Sequence, residues 1–142
     1  MTIVDANVLL YAVNGGSPQH DRAKRWLDDA LSGDGRVGLP WLSLLAFVRI
    51  ATHPAVFPNP LPLDRAFAIV DGWTRRPNVV HPEPSRDFAT TFGHALRSGG
   101  AHANLANDAY LAALAHEYGA TVVTFDRDFD RFEGIATLVP PA

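Results

Sequence analysis

The opening stretch Thr2-Ile3-Val4-Asp5-Ala6-Asn7-Val8-Leu9-Leu10-Tyr11 decides the fold, because a short β-branched run passes directly into residues that suit a helix. A strand that is so short and apolar is expected to lie buried inside a sheet. The rapid change from strand to helix is typical of proteins that alternate the two elements. Asp5 is then expected at the carboxyl end of the first strand.

The rest of the chain repeats this alternation. Helical patterns separate each apolar run from the next, and we expect Asn104 or Asn107 to cap an alanine-rich helix that Gly119 ends. We therefore predict one α/β domain over residues 1–142, with a central parallel sheet of four to five strands between layers of helices. The predicted strands are residues 2–4, 36–39, 78–81, 121–125 and 135–139.

Composition narrows the class of protein. The 142 residues are 47% hydrophobic and include no cysteine, so neither a disulfide framework nor a thiolate metal site is expected. No segment has the pattern of a signal peptide or a membrane span, and we expect a cytoplasmic protein. The formal charge of −3 includes the acidic residues considered below, so it does not exclude a nucleic-acid partner.

Four aspartates are expected to meet at the carboxyl edge of the sheet. Asp5 follows the first strand, Asp108 opens the alanine-rich helix, and Asp126 and Asp128 follow the strand at 121–125. Clustered carboxylates repel one another, and a hard divalent cation such as Mg²⁺ or Mn²⁺ turns that repulsion into coordination. The alternative for each is structural: Asp5, Asp126 and Asp128 also suit helix caps or turns, and Asp108 suits a helix N-terminus.

At these positions the chain resembles the PIN-domain nucleases, and specifically the VapC-type toxins of bacterial toxin–antitoxin pairs. The resemblance implies a single PIN-like domain and a Mg²⁺- or Mn²⁺-dependent endoribonuclease that cleaves cellular RNA. It also implies a homodimer and a cognate antitoxin that blocks the active-site groove. Three ordered segments carry the resemblance: Ile3-Val4-Asp5-Ala6-Asn7-Val8-Leu9, Leu105-Ala106-Asn107-Asp108-Ala109-Tyr110-Leu111-Ala112-Ala113-Leu114-Ala115, and Val122-Val123-Thr124-Phe125-Asp126-Arg127-Asp128-Phe129.

The resemblance assigns roles to these carboxylates in the hydrolysis of a phosphodiester. Asp5 and Asp108 are expected to bind the metal directly, and Asp126 is a further ligand or acts through water. These three are the predicted catalytic residues, with Asp128 a weaker metal ligand.

Two polar residues are expected to support the carboxylates. Asn7 is predicted to fix the turn or to orient Asp5. Thr124 is predicted to orient water or a neighbouring carboxylate, or to be simply a residue of the strand.

One position departs from the family. The VapC-type toxins usually carry a glutamate on the helix after the second strand, and here Phe47 stands where we expect it. The chain has only Glu83, Glu117 and Glu133, and none lies on that helix. The surrounding sequence resembles a mycobacterial-type subgroup in which this substitution is familiar, so we favour retained activity. The alternative is a catalytically degenerate module that binds RNA or a protein partner without cleaving RNA.

Other interpretations fit less well. Haloacid-dehalogenase-like phosphatases and response-regulator receivers also place an aspartate after the first strand, but they use a lysine after a later strand. The single lysine here, Lys24, lies on an early helix. Arg49 is interpreted either as an RNA contact or as one half of a structural ion pair, and His102 as a solvated loop residue rather than a substrate contact.

Overall fold

A parallel five-stranded sheet forms the centre of the computed structural model, which describes residues 1–100 and 105–142. Every pair of neighbouring strands is parallel. This confirms the predicted α/β architecture with a sheet of four to five strands. The strands are β1 (Thr2–Val4), β2 (Val37–Gly38), β3 (Val79–Val80), β4 (Thr121–Val123) and β5 (Thr137–Leu138).

Helices connect the strands. Gly119 ends the alanine-rich helix with a φ of 60°, as predicted, but Asn107 lies inside that helix and does not cap it. The prediction for Asn107 is therefore wrong, and Asn104 and His102 lie outside the described residues. No helix in residues 1–100 or 105–142 is long and apolar enough to cross a membrane. The helices described are α1 (Ala6–Val13), α2 (His20–Ser32), α3 (Trp41–Ala51), α4 (Leu63–Thr74), α5 (Phe88–Ser98), α6 (Ala106–Tyr118) and a short 3-10 helix (Arg127–Arg131).

The strand order places a topological switch point at the middle of the sheet. The order is β3-β2-β1-β4-β5, so the chain builds one side of β1 first and then returns to build the other. Crossovers leave β1 and β4 toward opposite faces at such a point, which opens a crevice beyond their carboxyl ends. Val4 pairs with Val123, so Asp5 and Thr124 follow the two central strands at that crevice.

Two apolar clusters hold the sheet between its helices. Val4 and Val123 belong to a cluster formed mainly with α1, α2 and α3. Ile3 and Val122, the alternate residues of the same strands, belong to a second cluster with α5 and α6. Because successive side chains of a strand point to opposite faces, short apolar strands can supply both cores.

Phe47 belongs to the first of these clusters. Its side chain is 0% exposed, and its ring centroid lies 4.9 Å from that of Trp73 on α4, in an edge-to-face arrangement. A carboxylate at this position would be buried among apolar side chains. Phe47 therefore contributes packing, and α3 presents no carboxylate at residue 47.

We expect Phe47→Glu to destabilise the protein rather than to restore a metal ligand. Removing the buried ring alone costs about 3–5 kcal/mol, and burying an unpaired carboxylate adds to that cost. Leu45→Glu is the matched control, because residue 45 lies on the same helix and is 64% exposed; its effect should stay within about 0.5 kcal/mol. Chemical denaturation of both variants measures the difference, and similar free energies of unfolding would contradict the placement of Phe47.

Candidate active site

Asp5 is held at the carboxyl end of β1 by one backbone and one side-chain hydrogen bond to neighbouring backbone groups. Its backbone N–H donates to the carbonyl of Val123, 3.0 Å away, which extends the pairing of β1 with β4. Its side chain caps α1, where Oδ1 accepts the N–H of Ala6 at 2.7 Å. The capping role considered from the sequence is therefore present. It leaves the second carboxylate oxygen for other contacts.

Thr124 is the centre of the hydrogen-bond network around Asp5. Its buried hydroxyl, 1% exposed, donates to Oδ2 of Asp5 at 2.8 Å. The hydroxyl oxygen of Thr124 in turn accepts the backbone N–H of Asp126 at 3.0 Å and the side-chain amide of Asn7 at 3.2 Å. A threonine hydroxyl has one donor and two acceptor sites, so its capacity is fully used. Thr124 thus fixes a carboxylate and an amide at once and is more than a strand residue.

Asn7 links the end of β1 to the loop after β4 by two further hydrogen bonds. Its Nδ2 donates to Oδ2 of Asp5 at 3.2 Å, and its Oδ1 accepts the N–H of Phe125 at 3.2 Å. The side chain therefore spans from α1 to the loop after β4. The geometry fits the orienting role predicted for Asn7, because it fixes the rotation of the Asp5 carboxylate.

Asp126 and Asp128 differ in their surroundings. Asp126 Oδ1 accepts the N–H of Asp128 at 2.8 Å and caps the 3-10 helix, as the structural alternative proposed. Its side chain is only partly exposed. The Asp128 side chain is 52% exposed, and its Oδ1 lies 3.7 Å from Nε of Arg131. Asp128 is therefore the outermost of the four.

Asp108 shares an electrostatic environment with the other three carboxylates. It lies in the first turn of α6, half-buried. Burial, followed by the charges of Asp5, Asp126 and Asp128, raises the pKa of Asp108 to about 6. Burial also raises the pKa of Asp5, against the lowering effect of the hydrogen bonds from Thr124 and Ala6. The sheet therefore brings together carboxylates that repel one another, as the sequence predicted.

The donor set suits a hard divalent cation. All of its atoms are oxygens, and a nearby positive charge would offset the burial and the repulsion that raise the pKa of Asp5 and Asp108. Among residues 1–100 and 105–142, however, no three acidic or histidine side chains already form a compact ligand shell. Shared coordination of one ion would thus require side-chain rotation. Because the Asp5 carboxylate is fixed by three hydrogen bonds, that rotation would fall to Asp108, Asp126 and Asp128.

Two residues that the sequence did not single out, Ser43 and Arg22, have unusual surroundings in the structure. Ser43 on α3 is 2% exposed, and its hydroxyl has no hydrogen-bond partner within the part of the chain that the structure describes. Arg22 on α2 packs over the ring of Phe125. No local pattern distinguishes either from an ordinary helix residue. Arg49 is exposed, and the described residues offer it no ion pair, so the structural alternative for Arg49 is not seen.

Comparison with protein families and curated proteins gives matches along most of the chain. The model of the PIN domain family matches residues 2–135. Ribonuclease VapC37 of Mycobacterium tuberculosis is 51% identical over 142 residues, which cover 100% of this chain and 99% of that protein. Ribonuclease VapC33 of the same species is 41% identical over 133 residues, or 93% of this chain and 92% of that protein.

Solved structures share the fold at low sequence identity. VapBC2 from Rickettsia felis, bound to a DNA fragment from its promoter, superposes with a TM-score of 0.70 at 17% identity and covers 97% of each chain. VapC20 of Mycobacterium tuberculosis, a toxin that cleaves the sarcin-ricin loop, gives a TM-score of 0.67 at 19% identity, covering 96% of this chain and 99% of that one. The chain therefore shares the overall fold of these structures.

Replacing Asp108 with Asn should stabilise the metal-free protein at neutral pH. The pKa of Asp108 is raised from 3.8 to about 6, so its ionised form disfavours the folded state. This penalty is absent below pH 3.8, grows as the pH rises toward 6, and is complete above it. Because the side chain is half exposed and screened by solvent, we expect a gain on the order of 1 kcal/mol at pH 7.5, which raises Tm by about 2–4 °C.

Thermal unfolding in EDTA at pH 7.5 and at pH 3.5 measures this effect. The Tm of Asp108→Asn should exceed that of the wild type at pH 7.5, and the two values should converge at pH 3.5. Asp71→Asn is the control, because Asp71 is exposed on α4 and paired with Arg75, and its loss should not stabilise the protein. A variant at Asp108 that is no more stable than wild type at pH 7.5 would contradict the proposed repulsion.

Proposed function

Because this chain belongs to the PIN-domain family and, within it, to the VapC group, we propose that it is a ribonuclease toxin that hydrolyses RNA with Mg²⁺ or Mn²⁺. The observation that supports this proposal is that the charges of Asp5 and Asp126, which follow the two central strands, act on Asp108 at the start of α6 and raise its pKa. The raised pKa values of Asp5 and Asp108 support it, since these carboxylates lack a compensating charge.

The chain's own residues would hold the site and present the substrate. Asp5 and Asp108 would bind the cation directly, with Asp126 as a further ligand and Asp128 as a weaker one. Once bound, the cation would offset their charge and polarise the phosphodiester for attack by water. Thr124 and Asn7 would keep one Asp5 oxygen turned toward the loop after β4, because both donate to it.

The absence of a carboxylate from α3 favours a second candidate function. Phe47 is buried in the apolar core, so the cation would depend on the aspartates alone. A degenerate PIN-like module that binds RNA or a protein without cleaving it would show this same pattern. We favour the enzyme, because the orientation of Asp5 by Thr124 and Asn7 uses buried polar contacts that a merely structural turn does not need.

We expect purified protein to cleave RNA in Mg²⁺ or Mn²⁺ and to lose this activity in EDTA. Asp5→Asn and Asp108→Asn should each lower the rate by about 100-fold or more, because each removes a charged ligand. Asparagine is chosen at position 5 because it caps helices as well as aspartate does, which keeps α1 intact. A panel of single-stranded and structured RNAs, followed by gel electrophoresis, provides the measurement.

Asp71→Asn serves as the matched control in this assay, since it removes an exposed carboxylate from α4. It should cleave at the wild-type rate. A folded wild type that binds RNA but cuts none of the panel would favour the binding module. Cleavage that survives both Asp5→Asn and Asp108→Asn would place the activity elsewhere.

We further propose a cognate antitoxin, a homodimer and a cytoplasmic site of action. An active ribonuclease inside a cell must be restrained, and solved VapBC complexes share this fold. Exposed apolar side chains on α4, Leu63 and Phe67, are spaced by one helical turn and offer surface for such partners.

Expression of the chain alone should slow bacterial growth, and coexpression with the product of the adjacent gene should restore it. Asp5→Asn, expressed to the same level, should not slow growth, because the proposed toxicity depends on cleavage. Growth curves with protein levels checked by immunoblot measure both effects. Unimpaired growth with active wild-type protein present would contradict the toxin assignment.

A further inference from the structure

Arg22 on α2 is held by contacts with Pro140 and Phe125, which follow strands β5 and β4. Its Nε and Nη2 both donate to the backbone carbonyl of Pro140, at 3.0 and 2.6 Å. Its guanidinium carbon lies 5.3 Å from the centre of the Phe125 ring, and the ring of Tyr11 packs edge-on against Phe125 at 5.3 Å. The two N–H groups that point to Pro140 and the ring of Phe125 together fix the guanidinium. Arginine suits such a site better than lysine, because its planar group can donate two parallel hydrogen bonds and stack on a ring.

The positive charge of Arg22 is not neutralised by these contacts. A backbone carbonyl and an aromatic ring attract a cation, but neither carries a negative charge. Within the described part of the chain, no carboxylate lies within ion-pair distance of Arg22. Of the five N–H groups of the guanidinium, two are used by Pro140, which leaves three. The side chain is partly exposed, so an anion can reach it.

Phe125 links this cation to the carboxylates. It stands between Thr124 and Asp126 in the chain, and its N–H donates to Oδ1 of Asn7, whose amide in turn donates to Asp5. The guanidinium therefore packs on the ring of a residue whose two chain neighbours, Thr124 and Asp126, belong to the acidic crevice. A polyanion with one phosphate in the crevice has further phosphates along its backbone, and Phe125 offers a direction in which they can extend toward Arg22.

We propose that Arg22 binds a phosphate of the RNA backbone next to the phosphate that enters the carboxylate site. This inference rests on the proposed function, since it assumes an RNA substrate. Pro140 and Phe125 hold the guanidinium in advance, so little side-chain entropy is lost when the phosphate binds. The remaining N–H donors contact the phosphate as charge-assisted hydrogen bonds. Arg22 is thus a substrate-positioning residue, and the carboxylates perform the chemistry.

Binding of a fluorescent single-stranded oligoribonucleotide in Mg²⁺, in an Asp108→Asn background that slows cleavage, is followed by anisotropy across a salt series and tests this role. Arg22→Gln keeps a donor for the Pro140 carbonyl but removes the charge. We expect about 10-fold weaker binding at low salt and a slope of log K against log[salt] that is smaller by about 0.7, the value for one phosphate contact on a single strand. Arg22→Lys keeps the charge and should keep the slope.

Arg75→Gln is the matched control, because Arg75 is an exposed arginine that follows α4 and pairs with Asp71. It should retain the wild-type slope. Wild-type affinity and slope in Arg22→Gln would overturn the proposal and leave Arg22 as a structural tether. An equal loss in Arg75→Gln would overturn it as well, because the effect would then be one of net charge.

Nuclear magnetic resonance of the folded wild type covers the case in which Arg22→Gln does not fold. With ¹⁵N-labelled arginine, the Nε–H signal of Arg22, assigned from the Arg22→Lys spectrum, should move when the oligonucleotide is added. A fixed signal while other arginines respond would refute the contact. These experiments also separate the two proposals: RNA that binds through Arg22 but is never cut defeats the nuclease alone, and cleavage unaffected by Arg22→Gln defeats this inference alone.

Discussion

The parallel pairing of β1 with β4 is the constraint on which the rest of the molecule depends. The register that sets Val4 beside Val123 also sets Asp5 beside Thr124, and their side chains bond at 2.8 Å. A slip by one residue would exchange the two faces of a strand, so Ile3 and Val4 would enter the wrong cores. Burial of apolar residues on both faces therefore fixes the position of the polar site at the strand ends.

The two cores also offset what the site costs. Burying Asp108 near the charges of Asp5 and Asp126 is unfavourable, and burial and repulsion together raise its pKa. Such strain persists only where the surrounding structure is well determined. Here β1 and β4 are fully buried apart from Thr2 and Thr121, and α6 packs a run of buried alanines and leucines behind Asp108. Stability thus comes from the interior, while repulsion is confined to one edge.

Much of this arrangement could be predicted from the sequence, because strand ends and helix starts have local signatures. The short β-branched runs before Asp5 and Asp126 located the crevice, and Gly119 marked the end of α6. Contacts between distant residues have no such signature: Arg22 reaches Pro140 across 118 positions, and Thr124 reaches Asp5 across 119. The predicted helix cap at Asn107 was wrong, because hydrophobic periodicity does not locate the first residue of a helix when several polar residues lie near its start. No sequence pattern indicated that the hydroxyl of Ser43 is buried.

The switch point has a consequence for the order of events during synthesis. Asp5 leaves the ribosome early, whereas Thr124 and Asp126, which fix and complete its surroundings, are added more than a hundred residues later. The central strand must wait for β4, since contacts so distant in sequence form late in folding. A nascent chain therefore carries an unassembled centre for most of its translation. For a protein proposed to cut RNA, the fold itself delays activity until nearly the whole chain has been made.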